Sequence, residues 1–277
     1  MHPLKLALTA LAALLSVCPL SAQQSFYENL RAHNTRMTEV QPTWMGPLTQ
    51  SDARLTQAVR LSVANWTQPG AHPISYGNNH GATMVFARRL QLELDPPPFY
   101  RNHAAAMPDG FANLSAQVKV RLASGNAQHG NYALSAIVAH GFGPRALQNG
   151  ALSSYYEPSL VAGKALGRFA TISQLGGWLP TAKTDVQGRA VTWSVTEQVH
   201  VGQHAWFDVE NNYTRILGSP ADGQTQNMLT PAAYYMIRRK AWKPEHAALV
   251  VNGGFQNATS HFHNFNHNVI AEVRILY

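Results

Sequence analysis

Residues 269–277, at the C-terminal end of the sequence, alternate between apolar and polar side chains and finish on the aromatic Tyr277. The charged residues Glu272 and Arg274 share one parity. The apolar residues share the other: Val269, Ala271, Val273 and Ile275. Because successive side chains of a strand point to opposite faces, the pattern predicts a strand with one face toward hydrocarbon and one toward a polar interior. A membrane β-barrel requires such a strand, and a soluble edge strand is the alternative interpretation.

Residues 1–22 have the features of a cleaved secretory signal. A short basic start ends at Lys5, an apolar run covers residues 6–20, and small residues precede a cleavage site before Gln23. The apolar run is too short for a membrane-spanning helix. We therefore expect residues 23–277 to be exported and to form one domain.

Cys18 is the only cysteine, and it lies inside the predicted signal. Lipidation at Cys18 is a weaker alternative, because Val17 is larger than the residue that usually precedes a lipidated cysteine. Removal of the signal leaves no cysteine, which excludes disulfides and thiol catalysis. No later stretch is apolar for long enough to be a spanning helix, so a membrane location requires a closed barrel.

Alternation of period two recurs along the chain. It is clearest in residues 111–122, where Lys119 and Arg121 fall between apolar residues. We predict an all-β, antiparallel transmembrane β-barrel of about twelve strands, with a range of about 10–14. The predicted strands cover 38–46, 55–66, 81–95, 111–123, 131–142, 153–163, 167–178, 189–200, 203–216, 227–239, 246–257 and 267–277.

The connections between these strands alternate between short and long, which is typical of outer-membrane barrels with both termini in the periplasm. The connection 67–80 is the exception, since it is long on the side that should be short. Aromatic residues near strand ends, among them Trp66 and Trp206, are expected at the membrane interface. Residues 23–40 show loose helical spacing, and a periplasmic helix, a plug segment and disorder all stay open for them.

The formal net charge is +7, and only 13% of the residues are charged. A basic balance suits nucleic acid or anionic surfaces. An exported chain does not meet nucleic acid, and its basic residues are dispersed, apart from Arg88, Arg89 and residues 238–240. We therefore expect outer-membrane lipids as partners, and no nucleic acid.

Charged residues on the predicted strands are candidates for groups that face the lumen. They would set selectivity by charge and hydrogen bonding, or pair with one another and fill space, and both roles stay open. The candidates are Arg60, Glu93, Lys119, Arg121, Asp208 and Glu210.

Little in the sequence points to a reaction or a bound metal. His261, His263 and His267 share one face of an extended chain, but no carboxylate or cysteine joins them, so loop histidines are the preferred interpretation. Ser260 and His261 are neighbours, and neighbours on a strand point to opposite faces. We predict no enzymatic activity, no cofactor and no metal.

Residues 175–183, Leu-Gly-Gly-Trp-Leu-Pro-Thr-Ala-Lys, and the end of the chain resemble bacterial outer-membrane barrels of the transporter type. Among these, the sequence is similar to the family associated with the meta-cleavage pathway of phenol degradation. That family often has the stretch Leu-Pro-Thr-Gly, and Ala182 replaces its glycine in this chain. The resemblance implies the outer membrane of a Gram-negative bacterium and recognition of the strand ending at Tyr277 by the barrel assembly machinery.

The function implied by this resemblance is passive passage of small solutes, including hydrophobic or aromatic ones, through a pore or transporter. Two alternatives stay open. One is a barrel that does not conduct and has a structural or adhesion role. The other is a soluble exported β-sandwich or lipocalin-like binding protein.

Overall fold

The computed structural model describes residues 32, 34–68, 72–77, 80–102, 108–143, 149, 151–237 and 248–277. The predicted signal peptide and residues 23–31 lie outside this part of the chain. Among the described residues, no helix is both long and apolar enough to cross a bilayer.

The described chain forms one antiparallel sheet of fifteen strand segments, and this sheet closes because β15 pairs with β1. The segments are β1 Ala58–Thr67, β2 Ile74–Tyr76, β3 Gly81–Ala87, β4 Leu90–Asp95, β5 Phe99–Arg101, β6 Gly110–Phe111, β7 Leu114–Gly125, β8 Tyr132–Phe142, β9 Tyr155–Leu166, β10 Phe169–Pro180, β11 Arg189–Val201, β12 Ala205–Leu217, β13 Thr225–Ile237, β14 Ala248–Ala258 and β15 His267–Leu276.

Three pairs of short segments each act as one wall strand. β2 and β3 pair with two different parts of β1, and together they form one strand of the wall. In the same way, β4 and β5 form the next wall strand, and β6 and β7 form the one after it. The wall is therefore a closed antiparallel barrel of 12 strands, which confirms the predicted fold class. A single closed sheet of this kind is not a β-sandwich.

Two of the predicted strands are wrong. Residues 38–46 contain no strand, and their Trp44 and Met45 side chains pack inside the barrel rather than on its wall. Residues 81–95 form the two strands β3 and β4, which a tight turn at Arg88 and Arg89 connects. The errors cancel in the strand count, and together they move the long connection 67–80 to the same end of the barrel as the other long connections.

The polarity of the barrel is inverted relative to a soluble protein. On β7, Val118 is 44% exposed on the outer face, whereas Lys119 is 3% exposed on the inner face. On β1, Leu61 is 59% exposed, and on β15 the inward Arg274 is 6% exposed. The apolar side chains on the outside and the polar side chains within are the arrangement that a bilayer requires of a barrel.

The two ends of the barrel differ. The end where β15 finishes, here called the terminal end, has short connections such as Gly167–Arg168 between β9 and β10. Gly167 has a φ of 59°, a value that glycine adopts at little cost in a tight hairpin. The opposite end has longer connections, including residues 143–154, 181–188 and 259–266. This asymmetry agrees with the predicted one.

The chain enters the barrel at the terminal end. Residues 34–39 are helical, and the Asn34 side chain donates a hydrogen bond to the Tyr277 carbonyl oxygen. Residues 41–57, here called the luminal segment, then run without regular secondary structure inside the barrel before β1 begins. Their contacts reach strands around the whole wall, from β3 and β4 to β15.

Candidate functional site

The interior holds a cavity of about 1790 Å³ between the luminal segment and the wall. Its lining includes Gln203 in the β11–β12 turn at the terminal end and Phe265 in the β14–β15 connection at the opposite end. The cavity therefore has lining residues at both ends of the barrel, and the luminal segment occupies much of the space between them.

Barrel side chains replace water as hydrogen-bond partners of the luminal backbone. Gln198 on β11 accepts from the Met45 amide at 2.7 Å and donates to the Met45 carbonyl oxygen at 3.1 Å. Glu210 on β12 accepts from the amides of Leu48 and Thr49, at 2.5 and 2.8 Å. Because buried backbone groups without partners are costly, these contacts fix the position of the segment.

Arg274 on β15 also holds the luminal segment. Its guanidinium donates to the carbonyl oxygens of Gly46 at 2.6 Å and Pro47 at 2.8 Å. The same guanidinium forms an ion pair with Glu272, two residues earlier on the same inward face. A buried arginine is tolerated when its charge and its donors are both satisfied, and this one has both.

A second charged group lies within the luminal segment itself. Asp52 accepts from the Trp44 indole at 2.9 Å and forms an ion pair with Arg54 at 2.6 Å. Burial acts to raise the pKa of Asp52, but the charges of Arg54 and of Lys119 on β7 outweigh it and lower the pKa below its ordinary value. Lys119 also donates to the Arg54 carbonyl oxygen at 3.3 Å.

Glycines on the wall make room for the segment. A Cβ atom on Gly163 of β9 would lie 2.7 Å from the Trp44 ring, and one on Gly254 of β14 would lie 2.7 Å from Leu48 Cδ2. At both positions the absence of a side chain therefore allows a segment in the lumen to pack closely against the wall.

The charged candidates from the sequence lie in separate places. Arg60 and Glu93 form an ion pair on one wall, and Lys119 contacts the luminal segment beside them. Asp208 and Glu210 lie on the facing wall, where Gln198 donates to Asp208 at 3.3 Å. Near the terminal end, Arg121 donates to the carbonyl oxygens of Arg88 at 2.7 Å and Met37 at 3.4 Å.

Several interior groups were missed by the sequence reasoning. Glu272 and Arg274 alternate with apolar residues in the final strand, so their shared parity already indicated that both face the interior. Gln198 pairs with the candidate Asp208 on the neighbouring strand, but a neutral amide does not stand out by charge. Asp52 and Arg54 gave no signal, because the sequence pattern does not predict that residues 41–57 fold into the barrel.

Two aromatic residues expected at the membrane interface face inward instead. Trp66 has the parity of the buried Ala64 on β1, and Trp206 has the parity of Asp208 and Glu210 and is 6% exposed. At the opposite end, Trp66 stacks with Tyr100 at 5.2 Å and with Phe265 at 6.1 Å between ring centroids.

The histidines at the opposite end do not converge on a metal position. His263 has one ring nitrogen 3.0 Å from the Ser260 carbonyl oxygen and the other 2.8 Å from Asn266 Oδ1. Within the described part of the chain, no three His, Cys, Asp or Glu side chains come together as metal ligands.

A solved structure of an outer-membrane channel shares this fold. The COG4313 outer membrane channel from Pseudomonas putida F1 superposes with a TM-score of 0.53 and 15% identity, over 84% of this chain and 100% of that chain. The KdgM porin gives a TM-score of 0.47 and 10% identity, over 79% of this chain and 99% of that chain. No protein-family model and no curated protein matches the chain. The first similarity establishes the fold, and the resemblance to the phenol-degradation family stays a prediction.

Proposed function

We propose that the protein is an outer-membrane pore for the passive passage of small solutes. The observation that carries this proposal is the inverted polarity of the wall, with an apolar outer face around a charged interior that contains a cavity. Hydrocarbon accepts the outer face, and water or a polar solute accepts the inner one. The fold shared with an outer-membrane channel supports the same function.

The luminal segment makes the pore narrow. It takes up the centre of the barrel and leaves space on its flanks, so small molecules are the expected cargo rather than folded or polymeric ones. Aromatic and other hydrophobic solutes are included on the basis of the sequence resemblance, and the inward rings of Tyr100, Tyr155 and Phe265 are consistent with them. We propose no catalytic activity.

The proposed partners follow from the location. Outer-membrane lipids contact the apolar outer face, and a cleaved signal directs export. The barrel assembly machinery recognises the strand that ends at Tyr277, which pairs with β1 to close the wall. The candidates Arg60, Glu93, Lys119, Arg121, Asp208 and Glu210 influence selectivity through the cavity or, where they bind the luminal segment, through its position.

Conductance of the purified, refolded protein in planar lipid bilayers tests the proposal. We expect small, discrete conductance steps, and swelling of proteoliposomes in solutions of small solutes. Absence of both, for the intact chain and for a variant in which residues 42–55 are replaced by a short Gly-Ser linker, contradicts a pore and favours a structural or adhesion barrel. Recovery of the protein from the soluble periplasm contradicts the membrane location.

A further inference from the structure

The inner wall near the opposite end carries a continuous row of side chains on four adjacent strands. Asp95 pairs with Ser115, Ser115 with Gly141, and Gly141 with Tyr155. Ser115 donates to Asp95 at 3.1 Å. A Cβ on Gly141 would lie 2.1 Å from Tyr155 Cζ, so the missing side chain allows the Tyr155 ring to lie along the wall at the cavity.

The next row toward the terminal end is also acidic. Glu93 accepts from Gln117 at 3.1 Å and forms an ion pair with Arg60, which lies 3.8 Å from Asp95. Glu157 lines the cavity in this row, two residues from Tyr155, and its side chain is exposed there. Within the described part of the chain, Glu157 has no hydrogen bond or ion pair, so its charge is directed at whatever occupies the cavity.

Aromatic side chains accompany these carboxylates in the cavity. Tyr100 and Phe265 line the same cavity, and both stack with Trp66. Tyr155 lies in the same row as Asp95 and two residues before Glu157 on β9, and it lines the cavity together with Tyr100, which brings the phenol rings and the carboxylates to one place. Ring faces and carboxylates both attract positive charge, and ring faces also bind apolar groups.

We propose that this end of the cavity is a binding site for organic cations, namely ammonium compounds that carry an apolar or aromatic substituent. Tyr155 and Tyr100 supply the ring faces, and Glu157 supplies a carboxylate that has no partner among the described residues. The inference rests on the proposed pore function and specifies the class of solute that enters it.

The composition of the site favours this class over others. An anionic solute would meet Glu157, Asp95 and Glu93 with Arg60 as the neighbouring cation, and Arg60 already pairs with Glu93. A bare metal ion prefers a cage of several oxygen ligands, and the described residues contain no such group. An organic cation uses both the rings and the charge.

Binding to the refolded protein in detergent tests the site without requiring conduction. The probes are benzyltrimethylammonium, neutral benzyl alcohol and anionic benzoate, measured by isothermal titration calorimetry. We expect benzyltrimethylammonium to bind most tightly, and Glu157→Gln and Tyr155→Leu each to weaken it by roughly three- to tenfold. Tyr155→Phe keeps the ring and should stay near the wild-type affinity. Asp185→Asn, on the exposed helix Thr184–Gln187 at the same end, is the control and should leave affinity unchanged.

Ion selectivity gives a second readout in the bilayer. The reversal potential in a potassium chloride gradient should show cation preference, and Glu157→Gln should reduce it while Asp185→Asn does not.

Equal binding of the three probes, or benzyltrimethylammonium affinity that is unchanged by both Glu157→Gln and Tyr155→Leu, overturns the site. Cation binding without conductance supports the site and contradicts the pore, and conductance without cation binding does the reverse. Heat-modifiable migration on a gel verifies that each variant is folded.

Discussion

Gln198 and Met45 exchange two hydrogen bonds, so that one side chain of the wall satisfies both the amide and the carbonyl group of one residue in the lumen. The amide and carbonyl groups of neighbouring strands in a sheet form a similar pair of hydrogen bonds. The luminal segment is thus held by backbone contacts in spite of its lack of regular secondary structure. Its position depends on a small set of inward polar side chains, which can be changed one at a time.

Gln198→Leu keeps the approximate size of the side chain and removes both of its bonds to Met45. Leaving buried backbone groups without partners costs about 1–3 kcal/mol each, which should loosen the luminal segment. We expect larger conductance and faster proteolysis within residues 41–57, with the barrel still heat-modifiable. Gln128→Leu, at an exposed position in the β7–β8 turn, should change neither. Unchanged conductance and proteolysis for Gln198→Leu would show that the segment does not depend on this pair.

Gly163→Val tests whether the room for Trp44 is required. The new Cβ would start 2.7 Å from the Trp44 ring, so the ring has to move, and overpacking of this kind costs about 1–3 kcal/mol. We expect a shift in tryptophan emission toward longer wavelength and increased conductance. The matched control is Ala162→Val, whose side chain points outward on the same strand. A spectrum identical to that of the control would contradict the packing described for Trp44.

The Asp52 carboxylate should keep its charge in mildly acidic solution. Its pKa lies below the ordinary value of 3.8. A group with a lowered pKa stabilises the folded state fully above the ordinary pKa and loses this contribution as the pH falls through the lowered one. We expect Trp44 emission, taken as the difference between wild type and Trp44→Phe, to be constant down to about pH 4 and to change only below it. Asp52→Asn should abolish the change, and a transition above pH 5 would contradict the pairing with Arg54.

An arginine on the outer face should destabilise the barrel more than an arginine at the neighbouring position on the inner face. Val118→Arg places a guanidinium toward lipid, and Arg at the bilayer midplane costs about 2–4 kcal/mol. Gln117→Arg points into the cavity near Glu93 and should be tolerated. Urea titration of folding into lipid vesicles compares the two variants. Equal stability would indicate that the outer face does not contact hydrocarbon.

Lys119→Glu should alter transport without preventing assembly. The new carboxylate would lie near Asp52 and next to the Arg54 carbonyl oxygen, where Lys119 now donates at 3.3 Å. Repulsion from these groups should displace that part of the segment and change single-channel conductance. Lys119→Met removes the charge without adding repulsion and should have a smaller effect. Identical conductance for all three proteins would assign Lys119 a space-filling role.

The wall was predictable because each strand repeats one local rule. Parity along β7 and β15 placed Lys119, Arg121, Glu272 and Arg274 opposite the apolar residues, and both strands follow it. The turn at Arg88 and Arg89 was not predictable, because it contains neither glycine nor proline and the alternation on both sides continues through it.

The contents of the lumen could not be obtained in this way. Residues 41–57 have no period, and their positions are set by side chains more than a hundred residues away, such as Gln198 and Glu210. The rings at the opposite end were also missed, because Trp66 at a strand end fits an interface belt as well as an inward face. Only the pairing register of β1 distinguishes an inward Trp66 from one at the membrane interface.

Arg274 belongs to the strand that completes the circle with β1, and it is also the residue that holds Gly46 and Pro47. Filling the centre and sealing the wall therefore depend on the same strand. Separation of β15 from β1 therefore also weakens the attachment of the luminal segment on one side. Opening of the wall between these two strands is expected to be accompanied by movement of the segment out of the lumen.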